Sequence, residues 1–207
     1  MRVGWDATHG EFTIEDYYYF SKLKTCAKKE GINIDEVRTF SKLADYDIIV
    51  FNYPEQHFKE EEIDQIEGWL KDGKRVIFAT YYNNHDGVTK TINQVLQKID
   101  TGITINNDVI VDSKNNFSND EFFPIAKFND LTLVIPCSAS VSAEGAEVLV
   151  KGLSTAKTMP EGNEPVFAVR KKMGDGELIV LGTCVFWDNY SLYVERNRDF
   201  ALWLLKR

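Results

Sequence analysis

Only three cysteines, Cys26, Cys137 and Cys184, stand in this chain of 207 residues. They are far apart, odd in number and form no C-x-x-C pair, which excludes a disulfide framework and points to a reducing compartment. Positive charge is short as well: 24 Lys and Arg face 32 Asp and Glu, for a net charge of −8. An acidic surface repels phosphate backbones and anionic lipid, so neither nucleic acid nor a membrane surface is expected as a general partner. The nearest approach to a basic patch, residues 170–172, is one short run. No apolar stretch approaches the ~20 residues that span a bilayer, so membrane insertion is not expected. The N-terminus enters a strand with no basic region followed by an apolar run, so no secretory signal is read there. A cytoplasmic location follows from these absences. There is no G-x-x-x-x-G-K-[ST] loop and no G-x-G-x-x-G after the first strand, which excludes the common nucleotide cradles, and no cofactor is implied. Repeats and low-complexity tracts are also missing.

What remains is 43% hydrophobic and 27% charged. That balance suits one large α/β domain over residues 1–207 with a well-developed core. Residues 75–87, RVIFATYYNNHDG, are its centre: an apolar strand running into a loop of aromatic, amide, imidazole and carboxylate groups. Residues 1–7 read as a buried strand ending in Asp6-Ala7-Thr8-His9-Gly10. A helix follows, with Thr13 as N-cap and Asp16 completing a capping-box-like start. Tyr19, Phe20, Leu23, Cys26 and Ala27 share one face at helical spacing, and Gly31 is the stop. The tyrosine run at 17–19 is placed across the core edge.

Residues 34–40 make a more polar strand near the sheet edge. Residues 47–52, DIIVFN, form the kind of apolar run found in parallel strands covered on both faces, and lead into Tyr53-Pro54-Glu55-Gln56-His57. Glu60, Glu61 and Glu62 open the next helix at the positive end of its dipole, and Ile63, Ile66 and Leu70 form its buried stripe. After the strand at 75–80 and its loop, Val88, Ile92, Val95, Leu96 and Ile99 mark a third helix. Alternating strands and helices imply a parallel, doubly wound sheet with right-handed crossovers. From Gly102 the rhythm changes. GITINNDVIVD alternates around a turn at 106–108, and 115–130 is a packed excursion holding Phe117, Phe122, Phe123 and Phe128. Strands are expected at 131–135, 147–153 and 166–171, a hairpin-type turn at 173–176, and a last apolar strand at 177–185. A closing helix turns Phe200, Ala201, Leu204 and Leu205 inward.

These segments taken in order resemble the GIFT-like domain, a member of the class I glutamine amidotransferase-like superfamily. That domain occurs in gliding-motility transporter auxiliary proteins, in a subunit of the intraflagellar transport complex and in many prokaryotic proteins. The resemblance is carried by the 47–52 strand, the EIDQIEGWLKDGKRVIFAT block, Ile92-Asn93, GITINNDVIVD, and GELIVLGTCVFWDN followed by a helix with Asn197. It implies a flavodoxin-like three-layer sandwich with a mainly parallel central sheet and additional C-terminal strands. It also implies binding or assembly more often than chemistry, and carbohydrate is a ligand suggested by analogy to sugar-processing relatives. The amidotransferases keep a nucleophilic cysteine in a G-x-C-x-G elbow after a central strand. Here the matching connection, 80–86, has no cysteine, and no histidine follows residue 85. Glutamine amidotransfer by that mechanism is therefore not expected.

Ligands of open α/β sheets bind outside the carboxyl ends of the strands. A strand order of 2-1-3-4 would bring His9, His57 and His85 to one such edge, near Asp6, Glu55 and Asp86, joined by Trp187 and Asp188 if the last strand is parallel. Converging imidazoles and carboxylates suit a divalent transition metal or supply a general base; dispersed, they are ordinary loop residues. Asn83 and Asn84 suit sugar hydroxyls while Tyr81, Tyr82 or Trp187 stacks on the ring, although amides also favour turns in their own right. Asp108 and Asp112 fall on one strand face and read as turn or surface residues, and Cys137 as an inert thiol. The expected function is a non-catalytic binding or assembly domain. It holds a small polar ligand or a protein partner through Asp6, His9, Tyr53, His57, Tyr81, Tyr82, Asn83, Asn84, His85, Asp86, Trp187 and Asp188. The alternatives are a metal-dependent hydrolase built on His9, His57 and His85, and a structural subunit of an oligomer, which predicts a large apolar patch.

Overall fold

Strands covered on both faces belong in the middle of a parallel sheet. Ile48–Asn52 and Arg75–Ala79 contain no exposed residue. The computed structural model, which describes residues 2–206, places them side by side at the centre of a parallel array. The chain opens with β1 (Arg2–Asp6), α1 (Tyr17–Lys29), β2 (Asn33–Val37), β3 (Ile48–Asn52), α2 (Glu60–Lys71), β4 (Arg75–Ala79) and α3 (Val88–Lys98). Met1, the first residue of the expected opening strand, lies outside the described residues. There follow β5 (Ile103–Ile105), β6 (Val109–Val111), β7 (Ile125–Phe128), β8 (Leu131–Val134), β9 (Val141–Ala143) and β10 (Glu147–Gly152). The last elements are β11 (Lys157–Met159), β12 (Val166–Met173), β13 (Gly176–Leu181) and α4 (Asn197–Leu204).

Nine strands form one mixed sheet in the order β2-β1-β3-β4-β13-β12-β10-β7-β8. The 2-1-3-4 order read from the sequence is present. β13 returns to lie parallel to β4, with Glu177 opposite Arg75 and Leu181 opposite Ala79. β12, β10, β7 and β8 then continue antiparallel, so the C-terminal strands extend the main sheet. β6 pairs with β11 and β5 with β9 in two small ribbons. Among the described residues no helix is long and apolar enough to cross a membrane.

Several boundaries differ from the sequence reading, and at three of them a local reason is visible. α1 is capped by Asp16, whose carboxylate accepts the N–H groups of Tyr18 and Tyr19 at 2.8 and 3.1 Å; Thr13 supplies only a backbone carbonyl to Asp16. β2 stops at Val37, and Phe40–Asp45 is a 3-10 turn that tucks Phe40 and Leu43 inward. β13 ends at Leu181 because Gly182 presses its backbone on Ala139: a Cβ there would lie 2.0 Å from the Ala139 carbonyl oxygen. Asp108 and Asp112, read as turn or surface residues, are both buried. Asp108 accepts from the Ser140 hydroxyl and Asn163 amide, and Asp112 from the Thr155 hydroxyl and the backbone of Lys114 and Asn115.

Aromatic rings dominate the core near the carboxyl ends of the parallel strands. Trp5 lies between Phe20 and Trp187, at centroid distances of 5.3 and 5.2 Å. The Trp187 indole N–H donates to Asn52 Oδ1 at 3.0 Å. This polar tie inside an apolar core sets the floor beneath the loops described next.

Candidate functional site

Because β1, β3, β4 and β13 run parallel, the loops that follow them gather on one edge. Between these loops lies a cavity of about 260 Å³, walled by Phe12, Tyr19, Tyr53 and Tyr81, with His85, Asp86, Cys184 and Asp188 also in its lining. The walls are held by ring contacts: Phe12 packs on Tyr19 at 5.2 Å and on Tyr53 at 4.9 Å, and Tyr81 meets Tyr53 at 6.1 Å. Tyr53 takes a left-handed backbone, φ 65°, which a bulky residue adopts only when its surroundings impose it. Here its N–H is held by the Ala79 carbonyl, and its hydroxyl donates to Asp86 Oδ2 at 2.8 Å and lies 2.9 Å from His85 Nδ1. Burial first, and then Asp86 beside it, push the Tyr53 phenol well above the usual tyrosine range. It therefore stays protonated and holds Asp86 at the cavity rim through that donated bond.

The loop after β4 reaches this position through one irregular turn, with Asn83, Asn84 and Asp86 all at positive φ. Asparagine and aspartate tolerate that region better than other non-glycine residues, which is why the N-N-H-D string can make the turn. Asn84 Oδ1 accepts the Lys90 N–H at 2.9 Å near the start of α3, and the Asn83 backbone N–H donates to the Asp108 carbonyl, which leaves the Asn83 side chain exposed. Tyr82 leans toward Phe122. Asp188 is buried on the opposite side, its Oδ1 accepting the N–H groups of Tyr190 and Ser191 at 2.9 and 2.8 Å, and burial raises its carboxyl above the usual range.

The three histidines do not converge. His57 is exposed and pairs with Gln94 Oε1 at 3.1 Å. His85 belongs to the Tyr53–Asp86 rim. His9 is buried in a separate polar centre at the end of β1, where Nδ1 meets Asp6 Oδ2 at 2.8 Å and Nε2 meets Glu62 Oε2 at 3.3 Å. Burial, with Asp6 next to it, pushes Glu11 in that centre up to about 10, so without a counter-charge its carboxyl is protonated at neutral pH. Trp187, expected as a stacking platform, is wholly buried and offers no ring face to solvent. The tyrosine run divides: Tyr19 is half-buried against the cavity, whereas Tyr17 and Tyr18 are 85% and 62% exposed. Tyr190 lies 5.7 Å from Tyr18, extending an exposed aromatic rim beside the cavity.

Phe12, Tyr19, Cys184 and Glu11 were not singled out as site residues from the sequence. Glu11 had a signal, since Asp6, His9 and Glu11 fall in one short loop; Phe12 and Cys184 had none, because only the folded loops bring them together. Cys184 is no substitute nucleophile. Burial, then the nearby Asp188 carboxylate, push its thiol far above the usual range, and no imidazole hydrogen-bonds to it among the described residues.

A family model described as a domain of unknown function (DUF4350) matches residues 20–205. A protein of Aquifex aeolicus (strain VF5), described as an uncharacterized protein, is 40% identical over 223 residues, covering 100% of this chain and 93% of its own. Among solved structures, the mmIFT52 N-terminal domain superposes with a TM-score of 0.82 at 20% identity, covering 100% of this chain and 98% of that one. Cytoplasmic Protein STM1381 from Salmonella typhimurium LT2 superposes with a TM-score of 0.58 at 12% identity over 100% of both chains. At these identities the solved structures speak to the fold alone.

Proposed function

The chain belongs to the DUF4350 family, and from that membership and the cavity at the carboxyl edge we propose that it is a non-catalytic binding or assembly domain. The family match and the likeness to the mmIFT52 N-terminal domain fit a GIFT-type domain. The cavity is the observation that carries the reading: aromatic walls, a fixed Tyr53 hydroxyl, and an imidazole and carboxylate at the rim, with no activated nucleophile among them. Such a lining holds a small polar ligand, a saccharide included, or a side chain inserted by a protein partner. The exposed tyrosines beside it favour a partner, since tyrosine supplies large, rigid contact area at protein interfaces. On this reading Tyr81, Tyr82, His85 and Asp86 contact the ligand from the β4 side, and Phe12 and Tyr53 from the other.

The same reading places the domain in the class I glutamine amidotransferase-like superfamily as a member without the nucleophile elbow, and gives it a flavodoxin-like three-layer architecture. It treats residues 1–207 as a single domain working in the cytoplasm. The three free cysteines support that location.

The test is a nuclear magnetic resonance titration of the whole chain with mannose, galactose and their disaccharides, alongside turnover assays on a nitrophenyl ester, an anilide and nitrophenyl glycosides. Saccharide-induced shifts confined to residues 12, 53, 81 and 85, and lost in Tyr81→Ala, support a sugar ligand. Absence of both shifts and turnover, with a partner co-purifying through wild type and released by Tyr53→Ala, supports assembly. Turnover that disappears in His85→Ala or Asp86→Ala would sink the non-catalytic reading.

A further inference from the structure

The polar centre at the end of β1 lies outside the aromatic cavity and has no part in the binding reading. We propose that Asp6, His9 and Glu11 form a site for one divalent transition-metal ion, with the Thr8 hydroxyl as a further oxygen donor. One donor atom from each of the three residues can be chosen so that all lie within 4.8 Å of one another. Asp6 Oδ2 is 2.8 Å from His9 Nδ1, and Glu11 Oε1 is 3.8 Å from the same nitrogen. Thr8 Oγ1 stands 2.8 Å from Asp6 Oδ1 and 2.9 Å from His9 Nδ1. Donors bound to one ion at about 2.1 Å are separated by roughly 3 to 4 Å, so these spacings need only small adjustments. The ion takes the place of the direct contact between Asp6 Oδ2 and His9 Nδ1.

A second observation is an unpartnered buried oxygen that faces the cluster. The Glu11 side chain is fully buried, its Oε2 accepts the His9 N–H at 2.8 Å, and its Oε1 has no hydrogen-bond partner. A buried carboxyl oxygen left unpaired is unfavourable unless a proton donor or cation meets it. No Lys or Arg pairs with Asp6 or Glu11 among the described residues, and Lys59 reaches only Glu62, at 3.8 Å from the solvent side.

The imidazole is held as a ligand should be held. Its ring stacks on Phe58 at a centroid distance of 4.0 Å, and Phe40 meets its edge at 5.5 Å. Nε2, the nitrogen facing away from the cluster, meets Glu62 Oε2, which also accepts the Lys59 N–H at 2.8 Å. A carboxylate on the far nitrogen fixes the tautomer and ring angle of a metal-bound histidine and raises its basicity. The His9 carbonyl accepts the N–H groups of Glu55 and Gln56, both at 2.9 Å, which anchors the turn to the loop after β3. One imidazole with carboxylate and hydroxyl oxygens suits Mn²⁺ or Zn²⁺, and the oxygen count is too low for Ca²⁺. Glu62 and Thr8 are positioning and auxiliary groups, and His57 and His85 take no part.

The experiment is isothermal titration of the chelator-stripped whole chain with ZnCl₂ and with MnCl₂ at neutral pH, paired with thermal melts at each metal level. One equivalent bound, and a melting temperature that rises with metal, is the expected result. Glu11→Gln, nearly isosteric, should weaken binding at least about tenfold, and Glu62→Gln roughly tenfold through loss of its grip on His9. His57→Ala should bind as wild type does. Circular dichroism of Glu11→Gln shows whether it is folded; should it not be, the Glu62→Gln affinity decides. Failure of both ions to bind below about 1 mM, or equal affinity in folded Glu11→Gln and wild type, overturns the site. Neither result bears on the aromatic cavity, whose probes are saccharides and a protein partner.

Discussion

Cys184 lies on the floor of the cavity with its thiol buried, and the other two cysteines are also shielded. Burial pushes all three thiols upward; Asp188 adds to this at Cys184, whereas Arg198 pulls partly back at Cys26. A free thiol near pKa 8.5 is substantially ionised at pH 8, and the thiolate is the species that alkylates. With the folded pKa raised, less thiolate is present at that pH. Native protein should therefore react with iodoacetamide at least about tenfold more slowly than the same protein in urea, as read by intact mass. Labelling of Cys184 at the unfolded rate would mean that the cavity opens to its floor. At this scale the sequence was legible where chemistry is local: Asp6 and His9 share a loop and do meet, and His85 and Asp86 are adjacent and do pair. It was not legible for Trp187, whose position depends on Trp5 and Asn52, more than a hundred residues earlier.

Elements with a full period were readable, whereas β7, β9 and β11 were not. α2 and α3 show their apolar stripes over several turns, and β3 and β4 each hold a run of four apolar residues, so each was recognisable from its own residues. β9 and β11 are three residues long and exist because β5 and β6 lie beside them; neither carries a pattern of its own. The start of α1 shows the same limit at one residue's resolution. Thr13 and Asp16 are both good caps, and the choice is made by the 13–16 turn, which leaves the Asp16 carboxylate over two free N–H groups. Asp16→Ala should therefore cost about 1 kcal/mol in urea unfolding, and Thr13→Ala only a few tenths. Equal losses would return the cap to Thr13.

Across the whole molecule the two ends of the parallel strands do different work. The carboxyl edge carries the cavity and the Asp6–His9–Glu11 centre; the amino edge is closed by Arg75, the first residue of β4 and only 4% exposed. Its guanidinium donates to Glu177 Oε1 on β13 at 2.9 and 2.7 Å and to the Leu204 carbonyl at the end of α4 at 2.6 Å. One side chain thus ties the central strand pair to the last helix and supplies orphan C-terminal carbonyls with a donor. Arg75→Ala leaves Glu177 without this partner in a partly buried place and α4 without its anchor, which should cost about 3 kcal/mol. For a chain of this length that corresponds to a fall of roughly 6 to 12 °C in melting temperature. Arg75→Lys recovers only part of it, because an ammonium cannot fork to a carboxylate and a helix end together. A five-residue strand separates the two edges by about 15 Å, far enough for effects to be independent. Zinc or manganese affinity of folded Arg75→Ala at the β1 centre should therefore match wild type, while its stability does not. Parallel loss of both would show that the strand ends are coupled through the sheet, and that the amino edge sets the geometry of the sites opposite.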